Sequence, residues 1–299
     1  MKTRDLQTFV KAIELGSVSK AAKDLFITQS AASQRLKNLE ERIGEDLLDR
    51  SQSTLQPTQP GTLVLSYAKR ILALENEMLD QLNPQQSKDH LALCCTPTFG
   101  NVYLPPIIAE MTRVFGQQVE FDFVFEQPQK ALDGLNQGLF DVAIIEHLKP
   151  LDKRSHHFEC LTPDQLIFVA SKHYPIESGV LSLEQVLAKR VYTRKPGCSS
   201  RALLEQNLAE RQRSLQDFES LVVSDDLRLT IAQIKAAQGI ALVSKALVHN
   251  ELKNDELVGF SVDGFSHVRR RSMLVQHSRL HQPLMQAFIH QVHQAFEPH

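Results

Sequence analysis

The chain has 299 residues, 42% hydrophobic and 23% charged, with a formal net charge of −2. That length exceeds one ordinary domain and suits two or three, and the composition is globular with no biased tract. The near-neutral balance excludes a strongly basic tail, and no apolar run nears the ~20 residues that cross a bilayer.

The opening residues, MKTRDLQTF, lack the apolar stretch of a signal peptide. Four cysteines, Cys94, Cys95, Cys160 and Cys198, show no CxxC spacing. Together these features favour a reduced, cytoplasmic protein. Charge is distributed unevenly. Residues 1–58 carry nine Lys/Arg against eight Asp/Glu. From Ile27 to Leu39 the only formal charges are Arg35 and Lys37, and the acids Glu40, Glu41, Glu45, Asp46 and Asp49 follow. A short positive surface on a near-neutral domain is a modest nucleic-acid footprint.

Leu6, Phe9, Val10 and Ile13 recur at helical spacing, and Gly16 ends that helix. Ser17 or Ser19 caps a short second helix through Lys20, Ala21, Ala22 and Leu25. Phe26 and Ile27 are expected to fill the turn that follows, and Thr28 caps a third helix. In that helix Ala32, Leu36, Leu39 and Ile43 form a core stripe, stopped by Gly44. Gln29, Ser30, Ser33, Gln34 and Lys37 fall on the other faces. Amide, hydroxyl and cationic groups there can reach base edges and phosphates. Residues 46–50 and 54–58 read as two short strands around a polar loop, a wing that places Arg50 against a phosphate. A small helical domain with a merely solvated polar face is the alternative.

From Thr58 to about Leu82 the chain reads as one long helix. Leu63, Tyr67, Ile71, Leu74, Met78 and Leu82 stand 4, 4, 3, 4 and 4 apart, a coiled-coil-like stripe. The stripe either packs on its own chain or pairs two chains. Residues 83–87, NPQQS, are a polar break and the best domain boundary.

From residue 90 apolar strands alternate with helices. Strands are predicted at 91–95, 119–125, 142–145, 166–170, 190–192, 221–223, 240–243 and 273–275. Helices are predicted at 102–115, 129–137, 183–187, 201–209, 227–238 and 282–295. That order favours an α/β fold with a largely parallel sheet, in two subdomains around a cleft.

The ordered motifs resemble the winged helix-turn-helix of LysR-type transcriptional regulators. They are Gly16-Ser17-Val18-Ser19, Ala21-Ala22, Leu25, Gln29-Ser30-Ala31-Ala32-Ser33, Leu39-Glu40, Ile43-Gly44, Leu47, Arg50 and Thr58-Gln59-Pro60-Gly61. Two departures stand out: Gln34 sits where many members carry Arg directly after the Ser, and Leu48 replaces a common Phe. The rear half resembles the family's effector-binding domain, which is like a periplasmic binding protein. It matches at Thr96-Pro97-Thr98 leading to Leu104-Pro105, at Gly138-Leu139-Phe140-Asp141-Val142-Ala143-Ile144, and at Gly239-Ile240-Ala241-Leu242-Val243. Lys245 stands where members often have Pro.

The resemblance implies an α/β protein with an N-terminal winged helix-turn-helix at 1–58. A linker and dimerisation helix follows at 59–87, then an effector domain at 88–299. Within that domain the subdomains are about 88–162 with 267–299, and about 163–266. It implies binding to an inverted-repeat site in double-stranded DNA, a homodimer formed through the linker helix, and dimers paired into tetramers. The DNA-facing residues are then Ser17, Ser19, Thr28, Gln29, Ser30, Ser33, Gln34, Arg35, Lys37 and Arg50.

In such folds a ligand sits where strand C-termini meet helix N-termini, which favours a small anionic effector. Thr96 and Thr98 follow the first strand of this half, and Cys198, Ser199 and Ser200 precede a helix of the facing subdomain. Glu126 and His147 follow the second and third strands. The hydroxyls could serve as ordinary helix caps instead.

No HExxH, P-loop, GxGxxG or GxSxG motif is present, so no catalytic residue, metal or cofactor is expected. The pairs His156-His157, His277 with His281, and His290 with His293 lack a Cys or acid at fitting spacing. One alternative is a thiol-based redox regulator using Cys198, placed just before a helix. Another is a binding module that never meets DNA.

Overall fold

The computed structural model describes residues 2–49, 51, 54–82, 89–116, 119–152, 155–176 and 178–297. Arg50 and the predicted boundary at 83–87 lie outside the described residues. The chain divides into two compact units, Met1–Lys88 with Asn136–Leu139, and Asp89–Leu135 with Phe140–His299.

The first unit opens with α1 (Thr3–Glu14), α2 (Val18–Asp24) and α3 (Gln29–Ile43). Their apolar faces meet in a core of Leu6, Phe9, Ala12, Ala21, Leu36, Leu39 and Leu47. Of the two capping candidates, Ser17 caps α2, accepting from the Lys20 amide at 3.4 Å. Thr28 caps α3, accepting from the Ala31 amide at 3.2 Å. Gly44 closes α3 in the left-handed conformation at φ 81°. Phe26 corrects the expectation that it fills the turn. It adopts a left-handed backbone at φ 52°, and its ring is 96% exposed.

Two short strands, β1 (Leu48–Asp49) and β2 (Gln56–Pro57), pair antiparallel as the wing. The chain then enters α4 (Gln59–Leu82). Thr58 fixes that entry: its hydroxyl donates to the Asp46 carbonyl at 2.6 Å and accepts from the Gly61 amide at 3.0 Å. A Cβ on Gly61 would lie 2.0 Å from the Leu47 carbonyl oxygen, so only glycine lets the helix start this close to the strand.

The second unit contains the strands β3 (Asp89–Cys95), β4 (Val119–Phe125), β5 (Val142–His147), β6 (His157–Ser171) and β7 (Gly179–Leu181). It continues with β8 (Arg190–Thr193), β9 (Ser220–Val223), β10 (Ile240–Ser244), β11 (Leu257–Val262) and β12 (Val268–Val275). The helices are α5 (Pro97–Val102), α6 (Leu104–Phe115), α7 (Pro128–Asn136), α8 (Leu183–Leu187), α9 (Ser199–Ala209), α10 (Leu227–Lys235), α11 (His249–Lys253) and α12 (Pro283–Gln294).

The strand order is β4-β3-β5-β12-β6-β10-β8-β9, with β11 between β6 and β7. The sheet is mixed, which corrects the expectation of a largely parallel one. β3, β4 and β5 pair parallel, as do β8, β9 and β10. β6 and β12, however, run antiparallel to every neighbour among the described residues. These two strands carry the chain between two lobes.

One lobe packs Leu93, Ile144, Met273 and Phe288. The other packs Phe168, Leu204, Ile240 and Phe260. The register of β12 against β6 shifts between Arg269 and Arg271, where the sheet passes from lobe to lobe.

Candidate functional site

The exposed face of α3 is polar. Gln29, Ser30, Ser33, Gln34 and Lys37 are all exposed, while Ala32, Leu36 and Leu39 are buried behind them. The side chains are partly organised in advance. Gln34 donates its amide to Asn38 Oδ1 at 2.8 Å, Ser30 Oγ lies 3.0 Å from Thr28 Oγ1, and Lys37 pairs with Glu41 at 3.7 Å. Ser17 and Ser19 are half-buried at the start of α2.

Arg35 also makes a contact within the first unit. It is half-buried, and its guanidinium donates to Thr8 Oγ1 on α1 at 3.3 Å. Position explains this, because Arg35 precedes Leu36 and lies beside the core stripe rather than opposite it. Arg35 therefore braces α3 to α1. Phe26 is the surface residue that sequence reasoning missed; its signal is a large aromatic in a turn that needs a left-handed residue.

In the second unit a cleft open to solvent lies between the lobes. Thr96, Thr98 and Glu126 line one wall, and Cys198, Ser199 and Ser200 line the other. The fold thus brings together six of the seven predicted effector residues. His147 is the exception. It is 6% exposed and turned into the sheet, with Nε2 2.9 Å from Ser272 Oγ and Nδ1 2.7 Å from the Lys149 carbonyl. Burial holds its pKa below the usual histidine range.

None of the predicted hydroxyls caps a helix. Thr96 and Cys198 are the N-cap residues of α5 and α9, yet neither side chain accepts from the helix. Instead Thr96, Thr98 and Ser199 enter a charged network under the cleft. Thr96 donates to the Glu146 carboxylate, which is fully buried. Arg271 Nε donates to Glu146 Oε1 at 3.0 Å and its Nη2 to Asp164 Oδ1 at 2.9 Å. The Arg271 guanidinium also lies 4.9 Å from the ring centres of Tyr103 and Phe296. Burial works against this charge, but Glu146 and Asp164 outweigh it and the Arg271 pKa is raised. Arg269 completes the network on Asp164, Ser199 and Thr98. Two arginines and two carboxylates thus neutralise one another in the core.

Sequence reasoning missed Arg269 and Arg271. The signal was present: in Val268–Val275 the arginines at 269 and 271 alternate with Arg270, so they share one face of a strand. At the cleft mouth Arg194 and Lys195 both pair with Asp225, the Arg194 contact at 2.7 Å. Across the mouth Gln127 donates to the Pro196 carbonyl at 2.7 Å.

The four cysteines are free thiols. Cys94 and Cys95 are buried in β3, and burial pushes the Cys94 thiol up to about 12. Cys198 Sγ lies 3.6 Å from Ser200 Oγ. The histidine pairs fare differently from their spacing. Glu159 pairs with His157 at 2.7 Å and with His293 at 2.6 Å, an acidic partner that only the fold supplies. Among the described residues no group of three His, Cys, Asp or Glu side chains is arranged to hold a metal ion.

Residues 3–62 match the bacterial regulatory helix-turn-helix of the lysR family, and residues 84–297 match the LysR substrate binding domain. The regulator YwqM of Bacillus subtilis, itself uncharacterised, is 30% identical over 210 residues, covering 70% of this chain and 71% of that one. ArgP of Mycobacterium tuberculosis shares the fold at a TM-score of 0.75 and 18% identity, over 98% of this chain and 96% of its own. Full-length LysG of Corynebacterium glutamicum, solved with the effector arginine bound, aligns at a TM-score of 0.67 and 18% identity over 99% and 98%. A DNA-reading helix in one unit and a two-lobed cleft in the other are the two parts those families describe, and the chain belongs to the LysR family of DNA-binding transcriptional regulators.

Proposed function

We propose that the chain works in the cytoplasm as a homo-oligomeric regulator that is not an enzyme. It reads an inverted repeat through paired α3 helices and responds to a small anion in its cleft. The domain limits that fit are 1–58 for DNA binding, 59–87 for pairing and 88–299 for the effector. Gln29, Ser30, Ser33 and Gln34 face bases, while Ser17, Ser19, Thr28, Lys37 and Arg50 of the wing meet phosphates. Arg35 leaves that set as a brace.

Pairing runs through α4, whose stripe is exposed at its described positions: Leu63 is 62% and Leu74 61% exposed. Two such dimers join into a tetramer. The observation that carries the effector reading is the cleft lining. Hydroxyls from both lobes meet there, beside Arg194 and Lys195, two cations that share the one carboxylate of Asp225. A ligand shifts the subunit arrangement only by binding one arrangement better than another.

A thermal-shift screen of anionic metabolites tests the effector reading. A true effector at a hundred times its Kd adds about 2.7 kcal/mol to stability. A screen in which no small anion raises the melting temperature counts against an anionic effector, and a stabilising neutral metabolite would keep the cleft but change its chemistry.

A further inference from the structure

Two exposed amides of α3 are joined. Gln34 stands two residues from both Ala32 and Leu36, about 200° around the helix from each of these buried side chains. Asn38 follows one turn later on the same face and is also exposed. Helical side chains lean toward the N-terminus, so Asn38 reaches back over Gln34. Gln34 Nε2 donates to Asn38 Oδ1 at 2.8 Å.

That bond fixes the direction of the Gln34 amide. A side-chain amide has one carbonyl oxygen and two N–H protons. Asn38 takes one proton. Among the described residues the Gln34 carbonyl oxygen and the second proton have no protein partner. One acceptor and one donor therefore remain, in a single plane on the outward face of α3. A glutamine left free can swap its carbonyl and amino ends, and ordering it on a base costs entropy. Asn38 makes that choice before DNA arrives.

The major groove distinguishes what such an amide can meet. Adenine presents an acceptor, N7, beside a donor, the N6 amino group, and pairs with a glutamine amide through both. Guanine presents two acceptors, N7 and O6, so the Gln34 carbonyl would face a second acceptor. Thymine and cytosine each offer one hydrogen-bonding group there.

We propose that Asn38 is a positioning residue of the reading helix: it holds the Gln34 amide so that the oxygen and the remaining proton read an adenine edge in each half-site. The inference rests on the DNA reading of α3 above, and Asn38 acts through Gln34. A bond that merely steadied the helix would carry no base preference.

The test uses the full-length protein and the duplex it selects from a random pool. Each base pair of one half-site is replaced in turn by the other three, and affinities are measured for wild type, Gln34→Ala, Asn38→Ala and Asn38→Asp. Wild type is expected to favour adenine by about tenfold at one position, and Gln34→Ala to abolish that preference. Asn38→Ala reduces the preference at the same position to about threefold or less. Its penalties at the other positions, its salt slope and its melting temperature stay as in wild type. Asn38→Asp keeps the adenine preference, because a carboxylate accepts the same proton, while its charge weakens binding to every duplex alike.

A position controlled by Gln34 that favours another base overturns the adenine assignment. An adenine preference that survives Asn38→Ala, or that is lost in Asn38→Asp, overturns the positioning role. Sequence selection that Gln34→Ala leaves intact overturns the inference but not the DNA reading, whereas a wild type that selects no sequence overturns both.

Discussion

Arg271 is a fully buried guanidinium held by Glu146 and Asp164 and flanked by two aromatic rings. Removing one partner of such a pair leaves an uncompensated buried charge, which costs about 3–5 kcal/mol. Arg271→Met should lower the stability of the second unit by that amount in urea unfolding, and adding Glu146→Gln should recover part of it. A loss under about 1 kcal/mol would contradict the burial argument. On α3 two basic residues separate by role. Lys37→Ala should reduce the slope of log affinity for duplex against log salt by about 1, with no loss of stability. Arg35→Ala should instead cost about 1 kcal/mol of stability, through Thr8, with little change in slope. The opposite pattern would return Arg35 to the DNA surface. At this scale the caps were legible, since Ser17 and Thr28 precede apolar-periodic runs. The Arg35 brace was not, because a helix face half-way between core and solvent is not resolved by spacing alone.

Elements were legible where one periodicity dominated. α3, α4 and β4 fall within a residue or two of their predicted spans. β6 and β12 were read too short, because their crossing segments carry Asp164, Arg269 and Arg271 where apolar residues are expected. A strand that buries paired charges loses its hydrophobic signature. The helix predicted at 102–115 is α6, while the short α5 before it was not predicted; the two meet at Tyr103, two residues before Pro105. The stripe on α4 gives an element-scale test. The 24-residue helix spans about 36 Å at 1.5 Å per residue, long enough for several knobs-into-holes layers. Leu74→Glu places a charge in that seam and should shift the protein toward monomer in sedimentation velocity, with its helical circular dichroism retained. Sedimentation identical to wild type would place the pairing surface elsewhere.

At the scale of the whole molecule, the sheet explains how two lobes share one cleft: β6 and β12 run through both, and the charged network sits on the β12 register shift. Acid should loosen the second unit for a separate reason. Burial lowers the pKa of both His147 and His267 in the folded state. The unfolded chain then takes up protons first as pH falls below about 6.5, so stability is full above that pH and is lost progressively below it. His147→Gln should flatten this loss between about pH 6.5 and 5, and an unchanged slope would exclude His147 as its source. The charge balance of the whole chain concealed a DNA reader, because seven of the nine residues proposed for the reading surface are amides and hydroxyls and only Lys37 and Arg50 are cationic. The most direct test of that reading is selection of bound duplexes from a random-sequence pool by the full-length protein. It predicts an inverted repeat, with half-sites spaced by whole helical turns of about 10 base pairs, that is no longer enriched by Gln29→Ala with Ser33→Ala. Enrichment of no symmetric sequence, or of the same sequence by the double variant, would contradict it.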